Sequence, residues 1–276
     1  VPLILITVVG DEPIRTAALE AGVIDFLVKP VRPRELRSRC RNLLALRQQQ
    51  QNLKSRAHEL ERQLLARMHE LDEREREILH RLAKATAFRD ATSVASFERM
   101  ARYAGVIAEA MGLPEDEVRM IELAAPLHDI GKIGIPDSIL LKPGKLTVEE
   151  FEIMKTHTTL GRNAIDEAER RLGMRVAFLS VSKEIAYSHQ EKWDGSGYPQ
   201  GLAGDAIPVS ARLMAVADVY DALISKRVYK PAFSHDQACN TIIRGKGTHF
   251  DPDMVDAFVD IAEDFRSIAQ KYPDPG

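Results

Sequence analysis

Apolar and polar positions alternate with different periods along the 276-residue chain, and the period changes twice. In residues 1–46, two short runs rich in β-branched residues, 2–9 and 23–30, predict buried strands. A helix-like stretch over 12–21 separates them, and another helix begins near Pro33. Because strand, helix, strand and helix follow in turn, we expect the two strands to be parallel and joined by a helical crossover.

Residues 47–85 form a highly charged stretch without glycine or proline, which predicts one long helix. One apolar seam repeats every seven residues, at Ala57, Leu64, Leu71, Ile78 and Ala85. A companion seam starts with Leu53 and Leu60 but then passes to arginines. A seven-residue repeat is typical of coiled coils, so this segment predicts a parallel homodimer. The alternative is a single long helix that packs on its own domain.

Residues 86–276 carry the three- and four-residue spacing of helices throughout, which predicts a mainly α domain. The helix over 94–111 has apolar residues on more than one face, so we expect it to be deeply buried. Pro114 begins the next helix, which we expect to extend to His128. The domain is therefore predicted to be built around buried helices.

Two further boundaries in this segment follow from local signals. A capping box at residues 147–150 is expected to open the helix that carries His157. A loop rich in glycine and proline, from Gly195 to Pro208, separates two later helical stretches. Both features place polar side chains near helix ends.

The amino-acid composition argues against several classes of partner and location. The net charge of −3 gives no reason to expect a nucleic-acid polymer as partner. Two cysteines, Cys40 and Cys239, argue against a disulfide framework and fit a reducing cytosol. No apolar run approaches the roughly 20 residues that span a bilayer, so we expect a cytoplasmic protein without a membrane partner. The first residue is valine rather than methionine, which suggests a fragment.

Histidine and aspartate residues recur at intervals of about one helical hairpin, so each could project from a different helix into one bundle core. They are His128, Asp129, His157, His189 and Asp218. Imidazole and carboxylate ligands suit Fe, Mn, Ni, Co or Zn, and the absence of cysteine ligands argues against structural zinc. Taken singly, each histidine is more often a core or surface residue. Taken together with Lys132, they favour a metal site for phosphoryl chemistry.

Residues 85–262 resemble the HD-GYP family of metal-dependent phosphohydrolases. Three segments carry the resemblance: HDIGKIGIPD at 128–137, HQEKWDGSGYP at 189–199 and VADVYDA at 216–222. The resemblance implies a helical HD-type phosphohydrolase fold for residues 86–276. It also implies hydrolysis of cyclic di-GMP to linear pGpG or GMP, with one or two divalent transition-metal ions as cofactor.

The resemblance also implies a role for each site residue. Asp129 would bridge two metal ions and, with Lys132, would be catalytic. Lys132 would hold a phosphate oxygen and Tyr198 would shape the substrate pocket, while Arg227 and Lys230 would contact the other phosphate. The remaining metal ligands would be His128, His157, His189 and Asp218.

The chain departs from the family pattern at three positions. Thr92 and Ser96 stand where the family usually has a glutamate and a histidine, and Gln190 replaces the second histidine of a His-His pair. A trinuclear site is therefore not expected, and a weakened binuclear or mononuclear site is. The alternative function is a degenerate member that binds cyclic di-GMP or partner proteins without turnover. A cyclic GMP-AMP dinucleotide is a further candidate substrate.

Residues 1–46 resemble the C-terminal half of a response-regulator receiver domain, with a generic βα unit as the alternative. Thr7 matches the family's switch hydroxyl, Phe26 its switch aromatic, and Lys29 and Pro30 its last strand. The first three strands and the phosphoacceptor aspartate of such a domain are not in the sequence. The resemblances imply two-component signalling, with diguanylate cyclases (GGDEF proteins) or other signalling proteins as possible partners.

Overall fold

A computed structural model describes residues 3–8, 16–18, 20–90, 93–173, 176–225 and 232–274. The chain divides into two compact units, Val1–Glu73 and Arg74–Gly276. Thr92, Arg227 and Lys230 lie outside the described residues. Within the described part, no helix is both long enough and apolar enough to cross a membrane.

The first unit contains the two predicted strands, β1 (Ile4–Thr7) and β2 (Asp25–Val28). They pair in parallel, with Ile4 opposite Asp25 and Thr7 opposite Val28. The prediction of a parallel pair is confirmed, although both strands are shorter than the apolar runs that predicted them. Of the predicted helix over 12–21, residues 16–18 and 20 are helical, and most of the remainder lies outside the described residues.

A single helix, α1, runs from Pro33 to Asp90 and confirms both the predicted start near Pro33 and the long helix over 47–85. It crosses the predicted domain boundaries after residues 46 and 85 without a break, so those boundaries remain predictions. Its apolar seam is exposed to solvent by 58% to 66% of each side chain, at Leu53, Leu60, Leu64, Met68, Leu71 and Ile78.

Beyond α1, the described residues of the second unit form helices joined by loops, with two isolated β-bridges, so the prediction of a mainly α domain is confirmed. Its α-helices are α2 (Val94–Ala110), α3 (Glu115–Ala124), α4 (Asp137–Leu140), α5 (Val148–Lys155), α6 (His157–Leu172), α7 (Ala177–Ser188), α8 (Val209–Ile224), α9 (His235–Arg244), α10 (Pro252–Asp260) and α11 (Ala262–Lys271). Short 3-10 helices occupy Ala125–Leu127, Ile130–Gly134 and Gly204–Ala206.

Helix α2 lies at the centre of the core, which confirms the prediction that it is buried. Its apolar residues Tyr103, Ala104, Ile107 and Ala108 have no exposed surface. The Tyr103 ring stacks on Phe265 of α11 with 4.4 Å between centroids. α2 also packs against α3 and α8, so it connects the N-terminal and C-terminal helices of the unit.

The capping box predicted at residues 147–150 is present, since Thr147 and Glu150 each bond the other's backbone N–H. The helix that it opens ends at Lys155, however, and His157 begins the next helix. The backbone N–H and hydroxyl of Thr156 both donate to the Ile153 carbonyl, which closes a tight turn there. The prediction that the capped helix carries His157 was therefore wrong.

Candidate metal centre

His128 and Asp129 lie between two 3-10 helices rather than at the end of a long α-helix. The predicted helix from Pro114 to His128 ends at Ala124 and tightens into the 3-10 turn Ala125–Leu127. Pro126 begins this change because it has no N–H to donate. The second 3-10 helix, Ile130–Gly134, starts directly after Asp129.

The other predicted site residues come from three further helices. His157 is the first residue of α6, and His189 directly follows the last residue of α7. Asp218 lies within α8. Each candidate ligand outside the His128–Asp129 pair thus comes from a different helix, as the spacing predicted, and both of these histidines stand at helix ends.

Four side chains surround the carboxylate of Asp129. Asp129 Oδ1 lies 3.3 Å from His157 Nε2 and 3.7 Å from His189 Nε2. Its Oδ2 lies 3.2 Å from His128 Nε2 and 2.6 Å from Lys132 Nζ. Asp129, His157 and His189 place one ligand atom each within 4.8 Å of one another, a spacing at which they could share a metal ion.

Backbone carbonyls fix the orientation of all three imidazole rings. The Nδ1 atoms of His128, His157 and His189 lie 2.8, 2.8 and 2.9 Å from carbonyls three or four residues earlier in the chain. A carbonyl only accepts, so each Nδ1 donates its hydrogen and Nε2 is left to face Asp129. Carbonyl contacts of this kind orient metal-binding histidines.

The Nε2 atoms of His157 and His189 are buried and have no hydrogen-bond partner among the residues that the structure describes. A neutral imidazole presents a lone pair at Nε2, and this lone pair points towards a carboxylate oxygen. Two electron-rich atoms so close together repel each other unless a cation lies between them. The unpartnered nitrogens therefore fit a metal ion, and the donor set of imidazole and carboxylate suits a divalent transition metal.

The ionisation states of Asp129 and His157 also fit a metal ion. Burial lowers the pKa of His157 to about 4, although Asp129 acts in the opposite direction, so its imidazole is neutral at pH 7. Burial would raise the pKa of Asp129, but Lys132 and His128 hold it well below its ordinary value. Burial alone would lower the pKa of His128. The nearby Asp129 carboxylate has the larger combined effect and raises this pKa to about 9. An anionic Asp129 carboxylate and a neutral His157 imidazole are the forms that bind metals, whereas His128 is protonated at pH 7 in the metal-free centre and must lose that proton to act as a ligand.

A family model described as an HD domain matches residues 39–254, a range that includes the whole of this centre. The chain belongs to the HD domain family. The predicted helical HD-type fold is thereby confirmed, and members of this family that act as phosphohydrolases depend on metals.

Curated relatives of this HD domain are phosphodiesterases. The chain is 57% identical over 259 residues to the "Cyclic di-GMP phosphodiesterase response regulator RpfG" of Xanthomonas campestris pv. campestris, which covers 94% of the chain and 67% of that protein. It is 43% identical over 282 residues to a "Probable cyclic di-GMP phosphodiesterase" of Vibrio cholerae, covering 99% of the chain and 64% of the relative. A "3'3'-cGAMP-specific phosphodiesterase 2" of Vibrio cholerae is 43% identical over 207 residues, covering 75% of the chain and 38% of the relative.

The chain spans about two thirds of the length of the first two of these relatives. Together with the Gly195–Pro199 signature, they support the HD-GYP type that the sequence predicted. The HD domain is thus a phosphodiesterase-type hydrolase domain with a candidate metal centre at Asp129.

The loop that carries the HD-GYP signature is held by a buried acid that the sequence analysis missed. Glu191 is 2% exposed and accepts hydrogen bonds from the backbone of Gln200 at 2.7 Å and of Leu202 at 3.1 Å. A side chain at Gly197 would place its Cβ 2.3 Å from the Lys192 nitrogen, so only glycine fits there. A carboxylate close before a glycine-rich loop is the signal that could have pointed to Glu191.

Tyr198 lies next to the histidine cluster of the HD domain. Its ring centroid is 6.3 Å from that of His157 and 6.1 Å from that of Phe151. Burial raises the pKa of the phenol, and the negative charge of Asp129 acts in the same direction. Tyr198 therefore remains a neutral hydrogen-bond donor beside the centre.

Ser96, which departs from the family pattern, belongs to a buried ion pair. Its hydroxyl donates to Asp221 at 2.6 Å, and Arg99 donates to both oxygens of the same carboxylate. Arg99 and Asp221 are 2% and 4% exposed, so neither charge is solvated. This triad of side chains joins α2 to α8, the helix that carries Asp218.

Gln190 also departs from the family pattern, and its side chain donates to Asp218 at 3.4 Å. We expect Gln190→His to raise both metal occupancy and turnover, because an imidazole is a far better transition-metal ligand than an amide. Metal content by mass spectrometry and the rate of dinucleotide hydrolysis check this. Gln200→His, on the same loop, is the matched control. Equal values for Gln190→His and the unaltered protein would contradict the prediction.

Proposed function

We propose that this HD domain hydrolyses cyclic di-GMP to linear pGpG or GMP. The observation that carries the proposal is the set of three imidazoles, each fixed through Nδ1, that converge on the Asp129 carboxylate. The relatives named as cyclic di-GMP phosphodiesterases support the choice of substrate. Their similarity also disfavours the alternative of a degenerate member without turnover.

We infer that one or two divalent cations (Fe, Mn, Ni, Co or Zn) bind at Asp129. His157 and His189 would hold a cation at Oδ1, while His128 and Asp218 would contribute ligands for a second. Such a cation supplies Lewis-acid activation of water and of the phosphate ester. Gln190 offers no imidazole here, so we expect weaker binding at the position next to Asp218.

The remaining roles belong to side chains that bind and orient the substrate. The Lys132 ammonium, 2.6 Å from Asp129 Oδ2, would contact a phosphate oxygen that lies against the metal centre. Tyr198 would form a wall of the pocket beside His157. Arg227 and Lys230 would neutralise the second phosphate of a dianionic dinucleotide; both lie outside the described residues.

Cyclic GMP-AMP is the second candidate substrate, and the cGAMP-specific relative from Vibrio cholerae favours it. Hydrolysis of both dinucleotides at equal concentration distinguishes them. We expect kcat/KM for cyclic di-GMP to exceed that for 3'3'-cGAMP by at least about 10-fold, the size of one good contact to a differing base edge. If kcat/KM for 3'3'-cGAMP equals or exceeds that for cyclic di-GMP, cyclic di-GMP is not the preferred substrate.

We also propose that the chain dimerises through α1. The exposed apolar seam of α1 would pack against the same seam of a second copy in parallel orientation. Apolar residues recur seven residues apart on this seam, Leu53 with Leu60, and Leu64 with Leu71 and Ile78. A seven-residue repeat keeps the seams of two helices facing each other along a coiled coil. Four further features remain predictions: a half-receiver over 1–46, a helical linker over 47–85, an HD-GYP domain over 86–276, and GGDEF proteins as partners.

Charges beside the seam favour this partner and orientation. Arg56 precedes Glu61 by five residues, and the two flank the seam on opposite sides. In a parallel pair, the arginine of one copy would face the glutamate of the other, as flanking charges do in parallel coiled coils. In an antiparallel pair, like charges would meet.

We expect Leu64→Glu to convert a dimer into a monomer, because it places a charge in the seam. Leu65→Glu is the matched control: Leu64 and Leu65 are 61% and 62% exposed, but Leu65 lies off the seam. Light scattering at micromolar concentration measures both. A monomeric unaltered protein, or two variants that behave alike, would contradict the proposed interface.

A further inference from the structure

Arg89 connects the last turn of α1 to the segment that follows the His128–Asp129 pair. Its guanidinium donates to the carbonyl of Ile133, to the carbonyl of Ile135 at 3.0 Å and to the Asp137 carboxylate. The arginine side chain is 33% exposed, so it lies partly beneath its acceptors. All three acceptors lie within five residues of one another, just beyond Lys132.

One of these acceptors, the Ile133 carbonyl, belongs to the end of the 3-10 helix Ile130–Gly134, and the other two follow directly after it. The 3-10 helix Ile130–Gly134 ends at Ile133 and Gly134, where carbonyl groups lack N–H donors from the same helix. A cation at this end also interacts favourably with the helix dipole. The planar guanidinium supplies several donors in a fixed fork, which an ammonium does not. Arg89 therefore caps the helix that carries Lys132.

The same 3-10 helix also rests directly on α6. A Cβ at Gly131 would lie 1.9 Å from the carbonyl oxygen of His157 and 2.4 Å from the nitrogen of Gly161. Contact with the α6 backbone and the Arg89 cap thus hold this short helix at two places. Lys132 lies between these two supports, with its ammonium 2.6 Å from Asp129.

We propose that Arg89 is a positioning residue for Lys132: it holds the 3-10 helix so that the lysine reaches the phosphate beside Asp129. The inference rests on the proposed function, since it concerns how that site is ordered. It also makes the end of the long helix α1 a direct structural support of the active centre. Arg89 itself does not touch the substrate.

Arg89→Ala tests the positioning role through activity. We expect kcat/KM for cyclic di-GMP to fall about 10-fold, within the range that follows from a small misplacement of a catalytic group. Arg81→Ala is the control, because Arg81 lies on the same helix and pairs only with Glu77 among the contacts described for its side chain. Arg89→Lys, which keeps the charge without the fork, should lose activity in the same direction but to a smaller extent.

A double variant separates positioning from a general structural role. If Arg89 acts through Lys132, Arg89→Ala should have no further effect in a Lys132→Ala background, since the group that it positions is gone. Multiplicative losses of the two single substitutions would overturn the proposal. Melting temperatures of all variants identify any that fails to fold, and Arg89→Lys then supplies the comparison.

Amide hydrogen exchange of the metal-free protein gives a reading that does not depend on activity. We expect peptides covering residues 130–137 to exchange about 10-fold faster in Arg89→Ala and at the unaltered rate in Arg81→Ala. Unchanged exchange in Arg89→Ala would overturn the inference. Absence of turnover in the unaltered protein would overturn the proposed function instead, and exchange would still decide whether Arg89 orders the helix.

Discussion

Asp129→Asn is expected to lower cyclic di-GMP turnover by about 10³-fold or more, the scale of losing a principal catalytic group. The substitution keeps the shape of the side chain but removes the negative charge that faces three imidazoles and the Lys132 ammonium. An amide would also leave two electron-rich imidazole nitrogens without a carboxylate to share a cation with. Metal content should fall together with activity.

Steady-state hydrolysis and metal analysis of the purified variant measure both effects. Asp116→Asn is the matched control, since Asp116 is exposed on α3 and far in sequence from any candidate ligand. It should retain full activity and metal content. Activity within about 10-fold of the unaltered protein in Asp129→Asn would show that this carboxylate is not the centre of the chemistry.

Gly131→Ala is expected to cause the second-largest effect, a loss of both stability and metal binding. The new Cβ would lie 1.9 Å from the His157 carbonyl oxygen and 2.4 Å from the Gly161 nitrogen. Because both obstructing atoms belong to the backbone of α6, the 3-10 helix and α6 must move relative to each other, which displaces His157 relative to Asp129. Overpacking of this kind costs at least about 2 kcal/mol, which is roughly 5 °C in melting temperature for a unit of this size.

Gly134→Ala, three residues further on, is the matched control. There the nearest obstructing atom is a terminal carbon of the Leu160 side chain at 2.8 Å, which can rotate aside. We expect its melting temperature to change little and its metal content to match the unaltered protein. Equal melting temperatures for the Gly131 and Gly134 variants would show that the α6 contact does not hold His157 in place.

Periodicity and short motifs were sufficient to predict the helical domain and the residues that form its centre. The apolar residues of α2 repeat locally, so its burial could be predicted without knowledge of its partners. His128, Asp129, His157 and His189 were recognised by their residue types and spacing, and the structure brings them together around one carboxylate. Local sequence therefore contained most of what defines the site.

Contacts between distant segments could not be predicted in the same way. The end of α5 before His157 depends on a turn at Thr156, although the sequence around it continues to favour helix. The partner of Ser96 is Asp221, 125 residues away, and no periodic pattern connects them. The same is true of Arg89 and Ile135, whose contact joins segments 46 residues apart. Such pairs follow from the packing of whole helices.

The proposed function depends most directly on whether Asp129 and its histidines form an active metal centre. Metal content and cyclic di-GMP turnover, measured on one purified sample of the full chain, test this. We predict one or two transition-metal ions per chain and hydrolysis that chelation abolishes and Mn²⁺ or Fe²⁺ restores. Less than about 0.5 metal ion per chain, with no turnover in excess Mn²⁺ or Fe²⁺, would contradict it.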